Sequence, residues 1–144
     1  MTIWRDGLDP VREASAALAG TLMERLGIEI IEAGDDWLKG RMPVDERTRQ
    51  PFGLLHGGAS VALAETLASW AGTLSVRADQ QCVGVEINAN HLRGVTHGWV
   101  YGVATPESLG RTLHVWTVRI SDESGRLVCI SRTTLAVRDR PKAS

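Results

Sequence analysis

Glu65 is the residue of this sequence best suited to acid–base or nucleophilic chemistry. It is the only Asp, Glu, Lys or Arg among the 27 residues between Arg49 and Arg77, where a chain with 23% charged residues would place about six. Such depletion predicts burial, and an ionised carboxylate is costly to bury without a partner. A carboxylate retained there can act as a general base or nucleophile. A structural hydrogen bond to nearby backbone, or exposure at a groove, explains it equally well.

Small and hydroxyl residues share the helical face of Glu65. Ser69 follows it by four residues, so the two side chains lie on one side of a helix. Gly58, Ala62 and Gly72 extend the same face, and their small size lets a slender ligand or another backbone approach closely. This face of the helix can therefore accommodate either a ligand or another segment of backbone.

Candidates for polarising a substrate carbonyl lie where a loop enters this helix. His56-Gly57-Gly58 stands at the helix start, where unpaired N–H groups and the positive end of the helix dipole favour negative charge. The Gly57 N–H there can donate to a developing oxyanion. Gln50, earlier in the loop, carries a neutral amide that can donate to a carbonyl or hold a water. The competing interpretation is a tight turn in which His56 binds a local carbonyl.

Several common chemistries lack their motifs in this sequence. His91, His97 and His114 have no metal-ligand spacing with Cys82 or Cys129, so we expect no metal site. The GxSxG, P-loop and GxGxxG motifs are absent. We expect no resident cofactor.

Composition places the chain among ordinary soluble domains. It has 144 residues, 43% of them hydrophobic, and a formal charge of −1, values that argue for one domain over residues 1–144 and against a nucleic-acid partner. The first ten residues show no signal peptide and two cysteines are too few for a disulfide scaffold, so we expect a cytoplasmic protein. A chain of this size has few residues left to enclose a deep cleft alone.

The pattern of apolar residues predicts an α+β protein. Two short helices are expected in residues 1–26, the first ending near Gly20 and the second capped by Thr21 and Glu24. Residues 57–76 predict one helix, buried on all sides because its apolar residues surround the axis, and too polar to span a membrane. Strands are predicted at 28–34, 36–44, 82–93, 98–105, 111–122 and 126–138, with a frayed tail at 139–144.

The stretch MPVDERTRQPFGLLHGGASVALAETLASWAG, followed by VGVEINANHLR, resembles the hotdog-fold acyl-CoA thioesterases. Within that family it is similar to the branch of bacterial 1,4-dihydroxy-2-naphthoyl-CoA and aryl-CoA thioesterases, the enterobactin proofreading thioesterase and the phenylacetate-pathway thioesterases. The resemblance implies an antiparallel sheet wrapped around one long central helix. It also implies a homodimer with active sites at its interface, dimers that associate into tetramers, and coenzyme A as part of the substrate.

The resemblance assigns a role to each candidate residue. Glu65 would attack the thioester carbonyl or activate the attacking water, and Ser69 would hold that water or orient the carboxylate. Gly57 would polarise the thioester oxygen, while Gln50 and His56 would position the reacting groups. Gln50, His56 and Gly57 would come from one chain, and Glu65 and Ser69 from the other.

The resemblance also indicates which residues contact the substrate. His91, Arg93, Gly110 and Arg111 occupy positions like those that the family uses for coenzyme A, although Arg93 and Arg111 also fit as solvated charges at strand ends. The acyl pocket is expected to be lined by apolar residues, among them Phe52, Leu54, Leu55, Val61 and Trp70.

The bulk of Trp70 favours aryl or medium-chain acyl groups over long chains. A thioesterase acting on carrier-protein thioesters, a non-catalytic acyl-CoA binder and an enoyl-CoA hydratase remain the alternatives. The last is disfavoured because the Asp that accompanies His in hydratases of this fold is missing.

Overall fold

Two short helices, α1 (Pro10–Ala16) and α2 (Leu22–Arg25), precede one long helix, α3 (Gly57–Leu74). The computed structural model describes residues 1–144. None of the helices has both the length and the apolar character needed to cross a membrane. The long helix α3 begins and ends within two residues of the predicted span.

Six strands form one antiparallel sheet in the order β1-β2-β4-β5-β6-β3. The long helix lies across one face of this sheet, so the predicted architecture, an antiparallel sheet around one central helix, is confirmed. The strands are β1 (Glu29–Ala33), β2 (Leu38–Pro43), β3 (Gln80–His91), β4 (Trp99–Leu109), β5 (Leu113–Asp122) and β6 (Leu127–Asp139).

Glycines in the sheet let α3 approach it closely. A Cβ atom on either Gly40 or Gly102 would lie 2.8 Å from a methyl carbon of Leu67, a side chain that is fully buried. On the helix, a Cβ on Gly72 would come within 2.7 Å of a methyl carbon of Leu135 in β6. Because a side chain at any of these positions would force the layers apart, the glycines fix how α3 sits on the sheet.

The two edges of the sheet differ in length and chemistry. The β1 edge has five residues and carries Glu29 and Glu32, both in ion pairs with β2. The β3 edge has 12 residues and exposes Val83 and Val85, which are 41% and 61% accessible. An unpaired edge that is long and apolar is a template for pairing with another strand.

Three local predictions are wrong. The first helix ends at Ala16 rather than near Gly20, because the chain turns at Ala17 and places Leu18 in the core. The expected capping box does not form, since the Thr21 hydroxyl donates to the Leu18 carbonyl and Glu24 accepts from the Gly20 N–H. Finally, α3 is not buried on all sides.

A histidine–cysteine contact lies in the core beneath the C-terminal part of α3. His114 is 3% exposed, and its Nδ1 lies 3.8 Å from the Cys82 sulfur. Burial lowers the pKa of His114 and raises the pKa of the Cys82 thiol to about 11. Both groups are therefore uncharged in the folded protein near neutral pH.

The buried His114 makes stability depend on pH. Because the folded pKa of His114 lies below its unfolded pKa, the protein takes up a proton when it unfolds. The contribution of neutral His114 to the free energy of unfolding is therefore complete above the unfolded pKa and is lost as the pH falls below it. We expect the free energy of unfolding, measured in urea, to fall between pH 7.5 and pH 5.5. The slope should be shallower in His114→Phe and unchanged in the exposed control His97→Gln. Equal slopes in all three proteins would contradict the assignment.

Candidate active site

Glu65 lies on the exposed face of α3, two turns after the helix begins. Its carboxylate is placed above Gly84 of β3, where a Cβ atom would be only 2.7 Å from Oε1. The side chain is exposed and takes part in none of the ion pairs of the chain. The burial predicted for Glu65 is therefore wrong for the single chain, because the charge-depleted helix keeps one face outside the core.

A groove of about 380 Å³ runs along this exposed face. Glu65 and Ser69 line it together with Gly58, Ala62 and Trp70. Gly72, predicted on the same face, is instead buried against Leu135 of β6. Leu22 and Met23 of α2 form part of the same wall. Sequence reasoning missed both, although two apolar residues on a four-residue helix were a signal that the helix packs against an apolar surface.

A second groove, of about 440 Å³, opens at the start of α3. It is lined by Gln50, Leu54, Gly57, His91 and Arg93. A Cβ atom on Gly57 would lie 2.9 Å from Nε2 of His91. The imidazole of His91 therefore sits directly against the helix N-terminus.

The first turn of α3 presents one main-chain donor to this second groove. The Gly58 N–H donates to Nδ1 of His56 over 2.8 Å, and the Ala59 and Ser60 N–H groups donate to the His56 carbonyl. The Gly57 N–H makes no hydrogen bond within the chain. It is thus free to bind an oxyanion, as an oxyanion-hole donor must be.

His56 and Gln50 are held so that each offers a donor as well. Because Nδ1 of His56 accepts from a backbone N–H, the neutral ring carries its proton on Nε2. The side-chain oxygen of Gln50 accepts from the Phe52 N–H, which leaves the amide NH₂ available. Gln50 lines the second groove, whereas the exposed His56 lines neither groove in the single chain.

The donors and the carboxylate lie too far apart to act together in one chain. Eight residues of helix separate Gly57 from Glu65, which is about 12 Å along the axis. A nucleophile about 3 Å from the carbonyl carbon and a donor about 3 Å from its oxygen need to lie within roughly 7 Å of each other. Each chain therefore carries two incomplete halves of a site.

The position of α3 against β3 shows how these halves are arranged. Gly57 lies beside His91, Glu65 beside Gly84 and Gly72 beside Cys82, so the helix runs antiparallel to the edge strand.

The strand β3 contains a bulge between Gly84 and Glu86, which sequence reasoning missed. A glycine inside a strand is a recognised signal of such a bulge.

Three other predicted substrate contacts lie outside both grooves. Phe52 is 89% exposed at the tip of the loop before α3. Gly110 and Arg111 lie in the β4–β5 turn, next to Thr112, whose carbonyl accepts from the Val137 N–H. This places them near Cys82, at the opposite end of β3 from His91.

The sequence matches the family model described as the thioesterase superfamily over residues 52–129. The proofreading thioesterase EntH of Cronobacter turicensis is 53% identical over 135 residues, which cover 94% of this chain and 98% of that protein. The 1,4-dihydroxy-2-naphthoyl-CoA hydrolase of Escherichia coli is 52% identical over 118 residues, covering 82% of this chain and 87% of the relative.

Solved structures show the same architecture. A thioesterase of Haemophilus influenzae superposes with a TM-score of 0.92 at 46% identity, covering 96% of each chain. A thioesterase mutant from Pseudomonas aeruginosa gives the same TM-score and identity, covering 96% of this chain and 100% of the other.

The contact between His56 and Gly58 predicts a measurable capping contribution. Replacing His56 by Ala removes the acceptor for the Gly58 N–H and should lower the free energy of unfolding by about 1 kcal/mol. His56→Asn supplies a side-chain oxygen to the same N–H and should restore most of the loss. Urea unfolding checks both, with His97→Ala as the exposed control. Equal stability of the Ala and Asn variants would show that the contact contributes nothing.

Proposed function

Because the chain belongs to the thioesterase superfamily, we propose that it hydrolyses the thioester bond of an aryl- or medium-chain acyl-CoA, releasing the free acid and CoA. The observation that carries the proposal is the pair of half-sites. One presents an unpaired carboxylate, Glu65. The other presents a free helix N-terminal donor, Gly57.

The chemistry needs little beyond these groups, since a thioester is already activated. In our mechanism the Gly57 N–H, supported by the Gln50 amide and Nε2 of His56, binds the carbonyl oxygen and stabilises the charge that develops on it. Glu65 either attacks the carbonyl carbon or takes a proton from the water that attacks it. The C–S bond then breaks and the sulfur leaves as the thiolate of CoA. Where Glu65 is the nucleophile, water then hydrolyses the mixed anhydride formed on it, so that both routes release the free acid. Ser69, one turn beyond Glu65, orients the carboxylate or the water.

We propose that a second copy of the chain completes each site. The β3 edge is long, exposed and partly apolar, which favours strand pairing between copies. Antiparallel pairing about Ile87, the middle of the exposed stretch, sets Gly84 of one copy opposite Asn90 of the other. The partner's Glu65, which lies above the partner's Gly84, then comes beside His91 and Gly57.

The same pairing accounts for the face that α3 leaves uncovered. The groove beside Glu65 is lined by Val61, Ala62 and Trp70, and a second chain would cover this surface. Further pairing of dimers into tetramers is part of the proposal. So is a cytoplasmic location, which fits the two unpaired cysteines, Cys82 and Cys129.

The shape of the groove supports the proposed substrate class. Trp70 is half-buried and lines both this groove and the next pocket along the helix, so its ring narrows the passage between them. Flat aryl groups and acyl chains of medium length fit such a groove better than long chains. One relative is named for 1,4-dihydroxy-2-naphthoyl-CoA, and an aryl group of that kind is the first substrate to test.

Glu65→Gln tests the mechanism. The amide keeps the size of the side chain but neither attacks nor accepts a proton, so kcat for benzoyl-CoA should fall by about 10³ or more. Thiol release is followed with a thiol reagent, and size-exclusion chromatography checks the assembly. The control Glu13→Gln, an exposed carboxylate on α1, should keep wild-type turnover.

The same assay separates the alternatives. A panel of aryl-, short-, medium- and long-chain CoA thioesters and carrier-protein thioesters should give the highest kcat/KM for aryl-CoA. A preference for carrier-protein thioesters would shift the substrate assignment to protein-bound acyl groups. Two results would contradict the mechanism. One is saturable binding without thiol release from any thioester, and the other is near-normal turnover in a correctly assembled Glu65→Gln variant.

A further inference from the structure

The groove that holds Glu65 adjoins a second pocket that contains a cation. This pocket shares Ser69 and Trp70 with the first groove and is also lined by Thr73, Gln81 and Arg140. Thr73 follows Glu65 by eight residues, which is about 12 Å along the helix axis. This end of the groove is therefore remote from the bond that breaks.

Arg140 is held in place by main chain and has no carboxylate partner. Its Nε donates to the Gln80 carbonyl over 2.9 Å, and its backbone N–H donates to the Asp79 carbonyl. The Asp79 carboxylate is bound instead by two nitrogens of Arg77. The two terminal nitrogens of Arg140 thus remain available at the pocket, in the fork geometry that suits phosphate and carboxylate.

The proposed dimer brings a second cation to the same place. Pairing of the β3 edges about Ile87 sets Gln81 of one copy opposite the partner's Arg93. Two guanidinium groups from different chains would then face the remote end of one groove. The coenzyme A contacts that the resemblance implies do not include Arg140, and Arg111 lies in the β4–β5 turn outside this pocket.

We propose that Arg140 recognises an anionic group of the substrate at the end of this groove. The inference rests on the proposed thioesterase function. The anion is either a carboxylate at the far end of an acyl group that occupies the groove, or, if the substrate lies in the opposite direction, a phosphate on its thiol side; both satisfy the same guanidinium. Arg140 acts in binding, so its loss raises KM and leaves kcat near its wild-type value.

Three thioesters distinguish the two sources of charge. Benzoyl-CoA carries phosphates, benzoyl-N-acetylcysteamine carries no charge, and suberyl-N-acetylcysteamine carries only an acyl carboxylate. Arg140→Gln should raise KM roughly tenfold for a thioester whose anion it binds, and the effect should shrink at high salt. Arg77→Gln, at the same end of the molecule but paired with Asp79, is the matched control and should stay within about twofold on all three substrates.

The substrates whose KM changes in Arg140→Gln identify the anion that Arg140 binds. A KM effect confined to benzoyl-CoA assigns the phosphate, and one confined to the suberyl thioester assigns the acyl carboxylate. Equal behaviour of the Arg140 and Arg77 variants on all three substrates overturns the proposal. Calorimetric titration with CoA gives a readout that does not need turnover. If the wild type hydrolyses nothing but its CoA affinity still depends on Arg140, the thioesterase function fails and a phosphate site at Arg140 stands.

Discussion

Leu67 reaches the sheet only because Gly40 and Gly102 have no side chains beneath it. That contact, repeated by Gly72 against Leu135, holds α3 at one height and in one register above the strands. The position of every candidate catalytic group follows from it. Gly57 is fixed at the His91 end of β3 and Glu65 at the Gly84 end, two helical turns apart, and a rigid helix cannot bring them closer.

The distance between Gly57 and Glu65 explains how so small a chain can contribute to an active site that it does not enclose alone. One face of α3 is used for the core, and the opposite face, with Glu65, is left open. The long β3 edge is left open as well. In the dimer that we propose, both surfaces are covered at once, and the antiparallel course of α3 and β3 brings the carboxylate of one copy to the helix N-terminus of the other.

Most of the fold could be predicted from the sequence because its signals are local. The single long helix, the strand faces that bury Ile30 and Met42, and the turn at Gly125 all follow from periodicity and turn chemistry. The sequence leaves the exposure of Glu65 at a groove as one of two alternatives, since absence of charge signals burial against any surface, including one that a second chain supplies. The bulge after Gly84 has a local signal in the glycine itself, whereas the contact of His91 with Gly57 depends on how distant segments pack, which no local pattern encodes.

Mixing two inactive variants tests most directly whether the site is shared between chains. Gln50→Ala and Glu65→Gln damage different half-sites, so a mixed dimer contains one site in which both residues are intact. Co-refolding equal amounts should restore thiol release from benzoyl-CoA to about a quarter of the wild-type rate. Glu65→Gln co-refolded with the double variant should stay inactive. Activity of the first mixture no greater than the sum of its separate components would contradict a site assembled from two chains.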